Sequence, residues 1–237
     1  KIEIDAYRGR IVDRNEKILV HNSPIFDLNV TVKEAEIPDT NRFCEILGIE
    51  KAFFDQRMID MKKERGYSYY RPYPFLSRIS PEKYALVQDV FDFKGFEFRA
   101  KIERTYPHNS FGLGLGYLAK ISSREYDKNQ KQDRYYRKID NVGKTGIEKE
   151  YERVLRGNRG VEYILVNVKG IKQGSYAGGV MDTVAHAGTN LQATLDVDLQ
   201  AYGEALMQNK LGSIVAIEPS TGEVLALISS VGYDPNL

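Results

Sequence analysis

The chain has 237 residues, enough for one large domain or two small ones. Its 42% hydrophobic residues can build a core, and its 28% charged residues point to a soluble chain. A net charge of +1 gives no electrostatic case for nucleic acid, and the single cysteine rules out an intrachain disulfide.

That cysteine, Cys44, lies on the apolar face of a predicted helix and reads as a small buried hydrophobe. His21, His108 and His186 are far apart and lack metal-ligand spacing, so neither a metal nor a cofactor is implied. No apolar run approaches the roughly 18 residues needed to span a bilayer. There is no signal peptide, and the chain begins at Lys1 rather than Met. It is therefore expected to be a piece cut from a longer protein.

In chain order, residues 1–22 read as extended structure. Ile11-Val12 and Ile18-Leu19-Val20 flank the polar stretch Asp13–Lys17, the pattern of a hairpin. Gly9 lets the backbone bend or approach another closely. The set Arg8, Gly9, Ile11, Asp13, Arg14 and Asn15 reads either as a charged hairpin or as an Arg–Asp network locking the chain start to a later strand. Phe26, Leu28, Val30 and Val32 alternate as a second strand. Asp39 or Thr40 can cap a short helix carrying Phe43, Ile46 and Leu47 and stopped near Gly48. A second helix is expected over about 50–65, with Phe54, Met58 and Met61 on one face.

Tyr67–Phe75 is dense in aromatics and broken by two prolines, which bars a central strand or a helix. Tyr67, Tyr69, Tyr70, Tyr73 and Phe75 are either core filler beneath a loop or a partner-binding surface. Ser80-Pro81-Glu82-Lys83 spells Ser-x-x-Lys, the nucleophile motif of penicillin-recognising enzymes, and is equally an ordinary helix start. Nothing near Ser80 suggests an oxyanion hole, and no Ser-x-Asn follows. Residues 95–107 alternate as a strand with one wet face. Phe111–Tyr117 has the wrong glycine spacing for a dinucleotide fingerprint. Residues 122–138 form a solvated helix or a flexible connection.

Gly143–Gly160 is the stretch around which the chain is organised. Thr145 and Glu148 have capping-box spacing, Ile147, Tyr151, Val154 and Leu155 make an apolar stripe, Glu148 falls on the charged face, and Gly157 closes the helix. Gly143-Lys144-Thr145 is not a P-loop, because position 138 is Lys where a Gly is needed. Lys144-Thr145-Gly146 matches a penicillin-enzyme motif, yet here it opens a helix. Residues 161–168 read as a strand and 170–189 as a loop or irregular linker. Asp198 can cap a helix running through Leu206 and Met207, and 214–217 with 224–228 form a hairpin. Two strands and a helix cannot close a core, so the natural chain is expected to continue.

Four segments together resemble the N-terminal extracytoplasmic part of class B penicillin-binding proteins, closest to the elongation type, the penicillin-binding protein 2 group. They are Arg8–Asn15; Arg104–Pro107 with Gly116-Tyr117; Gly143–Glu148 with Tyr151-Glu152 and Leu155–Gly157; and Thr194–Gln200 with 212–236. They run in the family's order through nearly the whole chain.

The resemblance implies an α+β fold: an elongated β-rich pedestal with one long helix, an inserted α+β head, and the start of a transpeptidase domain. It places pedestal strands in 1–40, the head in 41–120, the pedestal helix and strands in 121–193, and the first transpeptidase helix and hairpin in 194–237. The structural motif residues are then Arg8, Gly9, Asp13, Arg14, Gly143, Thr145, Gly146, Glu148 and Gly157. No catalytic residue carries over, because the family's serine follows a segment like Tyr233–Asn236 by several tens of residues. Glu16 departs from the family, which usually has Gly there.

The implied function is that of a non-catalytic pedestal and interaction region of a peptidoglycan D,D-transpeptidase. It sits on the periplasmic face of the bacterial cytoplasmic membrane, with the single-pass anchor outside this piece. A rod-shape scaffold protein would meet the head at Tyr67, Tyr69, Tyr70, Tyr73 and Phe75. A membrane glycan polymerase would be nearby, and peptidoglycan and β-lactams would bind the transpeptidase domain. The alternatives are a self-sufficient serine acyl enzyme using Ser80, Lys83 and Lys144, and a cytoplasmic nucleotide-binding protein.

Overall fold

The computed structural model describes residues 1–64, 67–167, 172–230, 232, 234 and 236. The strands are β1 (Ile2–Ile4), β2 (Ile11–Val12), β3 (Ile18–Val30), β4 (Tyr73–Ile79), β5 (Phe96–Thr105), β6 (Leu118–Lys120), β7 (Asn141–Gly143), β8 (Gly160–Glu162), β9 (Ile164–Val166), β10 (Lys172–Ser175), β11 (Leu191–Gln192), β12 (Ser213–Ile217) and β13 (Val224–Ser229). The helices are α1 (Thr40–Leu47), α2 (Lys51–Asp60), α3 (Pro81–Val87), α4 (Gly112–Leu115), α5 (Ser123–Gln130), α6 (Gly146–Glu150), α7 (Glu152–Leu155) and α8 (Val197–Leu206). The fold is α+β, and among the described residues no helix is long and apolar enough to cross a membrane. Arg65, the expected end of the second helix, lies outside the described residues, as do Val168, Gly170, Tyr233 and Pro235 of other expected segments.

The chain divides into two compact units, Lys1–Asn22 with Arg104–Leu237, and Ser23–Glu103. The divisions fall inside β3 and β5.

In the second unit, the later part of β3 pairs antiparallel with β4, Phe26 opposite Ile79 and Val30 opposite Tyr73. Pro74 sits in β4, the last strand in the sheet order, where a missing N–H is tolerated. Asp39 caps α1, accepting from the N–H groups of Asn41 and Arg42, and Gly48 ends it in the left-handed region. The face so created buries Phe43, Cys44 and Leu47. Phe43 is the hub of an aromatic core, with ring centroids of Phe54, Phe75, Phe91, Phe93 and Phe96 at 5.2, 5.7, 5.5, 4.9 and 4.8 Å. Truncating such a residue to Ala costs about 3–5 kcal/mol.

In the first unit, β2 pairs antiparallel with the start of β3 and parallel with β11, Ile11 facing both Val20 and Leu191. β1 pairs antiparallel with β8, Ile2 opposite Glu162. The core is Ile11, Leu19, Val20, Tyr106, Leu115, Leu155, Leu195 and Val197. Gly9 is needed for close approach: a Cβ there would lie 2.0 Å from the Thr189 carbonyl oxygen. Helix α8 is capped by Asp196, not Asp198, which instead donates its own N–H to the Asp196 carboxylate. The hairpin β12–β13 forms as expected, Ile214 opposite Ile228.

The expected single helix over 145–157 is broken. Tyr151, at φ −96 and ψ 20, separates α6 from α7. Of the expected apolar stripe only Leu155 is fully buried, while Tyr151 and Val154 stay 49% and 42% exposed. Gly157 does take the left-handed conformation, at φ +66.

The turn between β2 and β3 resolves the sequence departure at Glu16. Asp13 accepts from the N–H groups of Asn15 and Lys17, both at 2.8 Å, and Glu16 itself adopts φ +65. A side chain in that region costs about 1–2 kcal/mol, against about 0.5–1 kcal/mol lost to glycine's freedom in the unfolded chain. Glu16→Gly is therefore expected to stabilise the protein by about 0.5–1 kcal/mol. Calorimetry should show a higher unfolding midpoint, and a lower one would refute this account of the turn.

Candidate functional site

Glu148 and Glu152, four residues apart in the 146–155 segment, project to one side, and Arg8 bridges them. Arg8 Nε donates to Glu148 Oε2 at 2.7 Å, Nη1 to Glu152 Oε1 at 3.0 Å and Nη2 to Glu152 Oε2 at 2.7 Å. Arg104, at the end of β5, donates from Nε to Glu148 Oε1 at 2.8 Å and from Nη1 to Asn22 Oδ1 at 3.0 Å. Asn22 Nδ2 returns a bond to the Arg8 carbonyl at 2.6 Å. Tyr136 OH donates to Glu152 Oε1, and the Gly143 N–H to Glu152 Oε2 at 3.0 Å.

This arrangement corrects two sequence expectations. Glu148 is 0% exposed, not on a solvated face. The Thr145–Glu148 capping box does not form, and the Thr145 side chain makes no capping bond among the described residues. Two charge-assisted bonds to guanidinium groups outweigh one neutral cap bond. A capping box forms instead at Ser122, whose hydroxyl accepts the Glu125 N–H while the Glu125 carboxylate accepts the Ser122 N–H.

The Arg–Asp network expected at the chain start is differently populated. Asp13 spends one oxygen on its own turn and the other on the Val197 N–H at 3.3 Å. The Arg14 guanidinium lies 3.8 Å from Glu223 on the surface. Arg8 ties the chain start to two glutamates of a helical segment, in addition to the strand pairings of β1 and β2. A second ion group has no counterpart among the sequence expectations: Asp140 binds Arg159 at 2.6 Å and Arg137 at 2.9 Å, and Arg137 also binds Asp5 at 2.7 Å. The i,i+4 spacing of Glu148 and Glu152 was the one sequence signal for a shared basic partner. Nothing local marks Arg104, Tyr136 or Asp140.

Between the two groups lies a cavity of about 190 Å³, walled by Tyr135, Tyr136 and Leu118. Its charges, Arg8, Arg156 and Arg159 against Asp5, Asp140 and Glu152, balance three to three. Arg156 stacks 3.8 Å over the Tyr135 ring.

In the second unit the Tyr67–Phe75 stretch divides by exposure. Phe75 is 1% exposed in the aromatic core and cannot meet a partner, which corrects its place in the expected surface. Tyr67 and Tyr73 are half-buried, with rings 5.7 Å apart, and Tyr73 OH donates to Glu64 at 2.7 Å. Tyr69 and Tyr70 are presented outward at 48% and 68% exposure, with Lys33 Nζ 5.0 Å from the Tyr70 ring centre.

Ser80 is a helix cap. Its hydroxyl accepts the Lys83 N–H at 3.2 Å, and its hydrogen bond to Glu82 holds that carboxyl below the usual range. Lys144 Nζ binds Glu125 at 2.5 Å, and that bond, with the Ser122 contacts, lowers the Glu125 carboxyl to about 2. Both motif residues are thus used by their own local structure.

Burial pushes the Glu152 carboxyl up, but the Arg8 fork, Tyr136 and the Gly143 N–H outweigh it and leave it below the usual range. Asp140 behaves alike: burial raises it, and the Arg137 N–H, Arg159 and the Arg137 guanidinium bring it down. Carboxyls depressed in the folded state contribute stability above their unfolded pKa and lose it as pH falls through the folded value. The unfolding midpoint should therefore drop steeply below about pH 4, and less so in Glu152→Gln; an unchanged acid profile in that variant would contradict the assignment. Glu148→Ala strips the buried Arg104 guanidinium of its carboxylate, while Arg8 keeps Glu152, and is expected to cost about 3–5 kcal/mol, read by denaturant titration. A cost under about 1 kcal/mol, the range of surface pairs, would show that the cluster is not structural.

Residues 3–192 match the family model of the penicillin-binding protein dimerisation domain. The chain is 30% identical over 245 residues to the peptidoglycan D,D-transpeptidase MrdA of Escherichia coli (strain K12), covering 100% of this chain and 37% of that protein. It is 26% identical over 236 residues to penicillin-binding protein 3 of Bacillus subtilis (strain 168), covering 99% of this chain and 34% of that one. Among solved structures, the complex between penicillin-binding protein PBP2 and MreC from Helicobacter pylori matches with a TM-score of 0.71 and 22% identity, over 99% of this chain and 43% of that one. The chain thus spans little more than a third of the length of the curated relatives it matches. It belongs to the penicillin-binding protein dimerisation domain family.

Proposed function

We propose that this chain is the non-catalytic pedestal and interaction region of a peptidoglycan D,D-transpeptidase of the cell-elongation machinery. It works on the periplasmic face of the bacterial cytoplasmic membrane. In this reading the first unit, up to residue 193, is the pedestal, 23–103 is the head, and 194 onward opens the transpeptidase domain. The observation that carries the reading is the Glu148 cluster, where Arg8, Arg104 and the helical segment meet in one buried ion group. Such a group is costly to disturb, which suits a support that holds chemistry at a fixed place. The relatives that the chain matches over its whole length support the same role.

The head meets a rod-shape scaffold protein, as the Helicobacter pylori relative meets MreC. Tyr69 and Tyr70 are the contacts, since of the aromatic side chains in 67–75 these two are exposed, with the Lys33 cation beside Tyr70. Tyrosine offers large contact area at low entropy cost. The membrane glycan polymerase is a neighbour in the same machinery, and peptidoglycan and β-lactams bind through the transpeptidase domain.

Tyr70→Ala is expected to weaken scaffold binding about tenfold or more, as for an aromatic hot spot, with an unchanged unfolding midpoint. Calorimetry with the scaffold protein reads both affinity and enthalpy. Unaltered affinity in Tyr70→Ala and Tyr69→Ala would remove this surface from the proposal.

A further inference from the structure

Two side chains late in the sequence take hold of the turn that joins β5 to α4. Glu204 on α8 accepts the Phe111 N–H at 2.8 Å with Oε1, and the same oxygen accepts from Gln200 Nε2 at 2.7 Å. Gln200, fully buried, also accepts the Leu227 N–H at 2.8 Å and donates to the Leu227 carbonyl at 2.9 Å. One carboxylate oxygen and one amide thus join turn, helix α8 and strand β13.

The second hold is Asn236. Its Oδ1 accepts the Tyr106 N–H at 3.0 Å, and its Nδ2 donates to the Tyr106 carbonyl at 2.9 Å and to Asp234 Oδ1 at 2.8 Å. Both amide hydrogens are used, which fixes the orientation of the amide. Tyr106 therefore makes with one side chain the pair of bonds it would make with a neighbouring strand. Phe111, five residues on, is held at φ +59, a conformation that disfavours a residue with a Cβ. Strained backbone persists where its surroundings over-determine it. The same turn begins two residues after Arg104, the partner of Glu148.

We propose that the turn 106–111 is the seat on which the 194–236 portion is fastened, with Glu204 and Asn236 as positioning residues. The functional consequence rests on the pedestal reading above: the seat fixes where the transpeptidase domain leaves the pedestal. Loosening it leaves the acylating serine intact and misplaces it relative to its glycan-borne substrate.

The test uses the full-length protein. In Glu204→Ala, hydrogen exchange at the Phe111 amide should rise about tenfold, the scale of one lost hydrogen bond. Glu204→Gln should restore protection, because only one carboxylate oxygen is used and the amide keeps it. Asn236→Ala should raise exchange at Tyr106 likewise. Uptake of a fluorescent penicillin should stay within about twofold of the parent rate, while cross-linking of newly polymerised glycan falls by about fivefold or more, the size of a coupling energy between sites. Unchanged exchange in both Ala variants would overturn the seat. Penicillin uptake and cross-linking falling together would overturn the positioning role, since that is how a damaged fold behaves. If the parent protein takes up no penicillin, the transpeptidase reading fails, and the exchange data still decide the seat.

Discussion

A carboxylate with no access to water needs compensating charge, and Glu148 has it from two guanidinium groups. One comes from 140 residues earlier in the sequence and the other from 44. The interior raises the stakes of both sides: the ions attract strongly at low dielectric, and either one left alone is far worse than none. The geometry of the chain start, the end of β5 and the 146–155 segment is therefore set jointly. Glu152 extends the arrangement by sharing the Arg8 fork and by tying in Tyr136 and the end of β7. Arg104 Nη2 is buried with no hydrogen-bond partner among the described residues, a residual cost that the pairing must outweigh.

The two units are held by different physics. The second is organised by rings packed edge to face around Phe43, a non-directional gain that grows with buried area. The first has a smaller aliphatic core and many directional ties: the Glu148 cluster, the Asp140 group, and side chains that substitute for backbone partners, such as Gln200 and Asn236. Ties of this kind specify one arrangement, because an amide or a carboxylate left unmatched in the interior is expensive.

Local chemistry was readable wherever a few neighbouring residues decide the outcome. Asp39 and Gly48 bound α1, Ser80-Pro81 opens α3, and the hairpin β12–β13 follows from its turn residues. The resemblance to the family was readable as well, because its four segments keep their order. What could not be read was where long-range partners would overrule a local motif. Thr145 and Glu148 have the right spacing for a capping box, yet Arg8 and Arg104 draw the glutamate inward. Asp196 wins the α8 cap from Asp198 by lying one residue outside the first turn. Phe75 resembles its neighbours Tyr69 and Tyr70 in composition, and only its packing into the aromatic core around Phe43 separates them. Glu16 shows the reverse: the turn forms without the glycine because Asp13 holds it from within.

The register of β2 has a bearing on how the chain matures. Ile11 pairs with Leu191, and Ile2 with Glu162, so the opening strands wait for partners made about 160 to 180 residues later. Residues 23–103, by contrast, are contiguous and carry their own core. During vectorial synthesis the second unit can fold as soon as it is complete, whereas β1 waits for residue 162 and one edge of β2 for residue 192, its other edge being taken by β3. Until then the strand edges at the chain start are exposed, and a chaperone or a neighbouring copy could capture them.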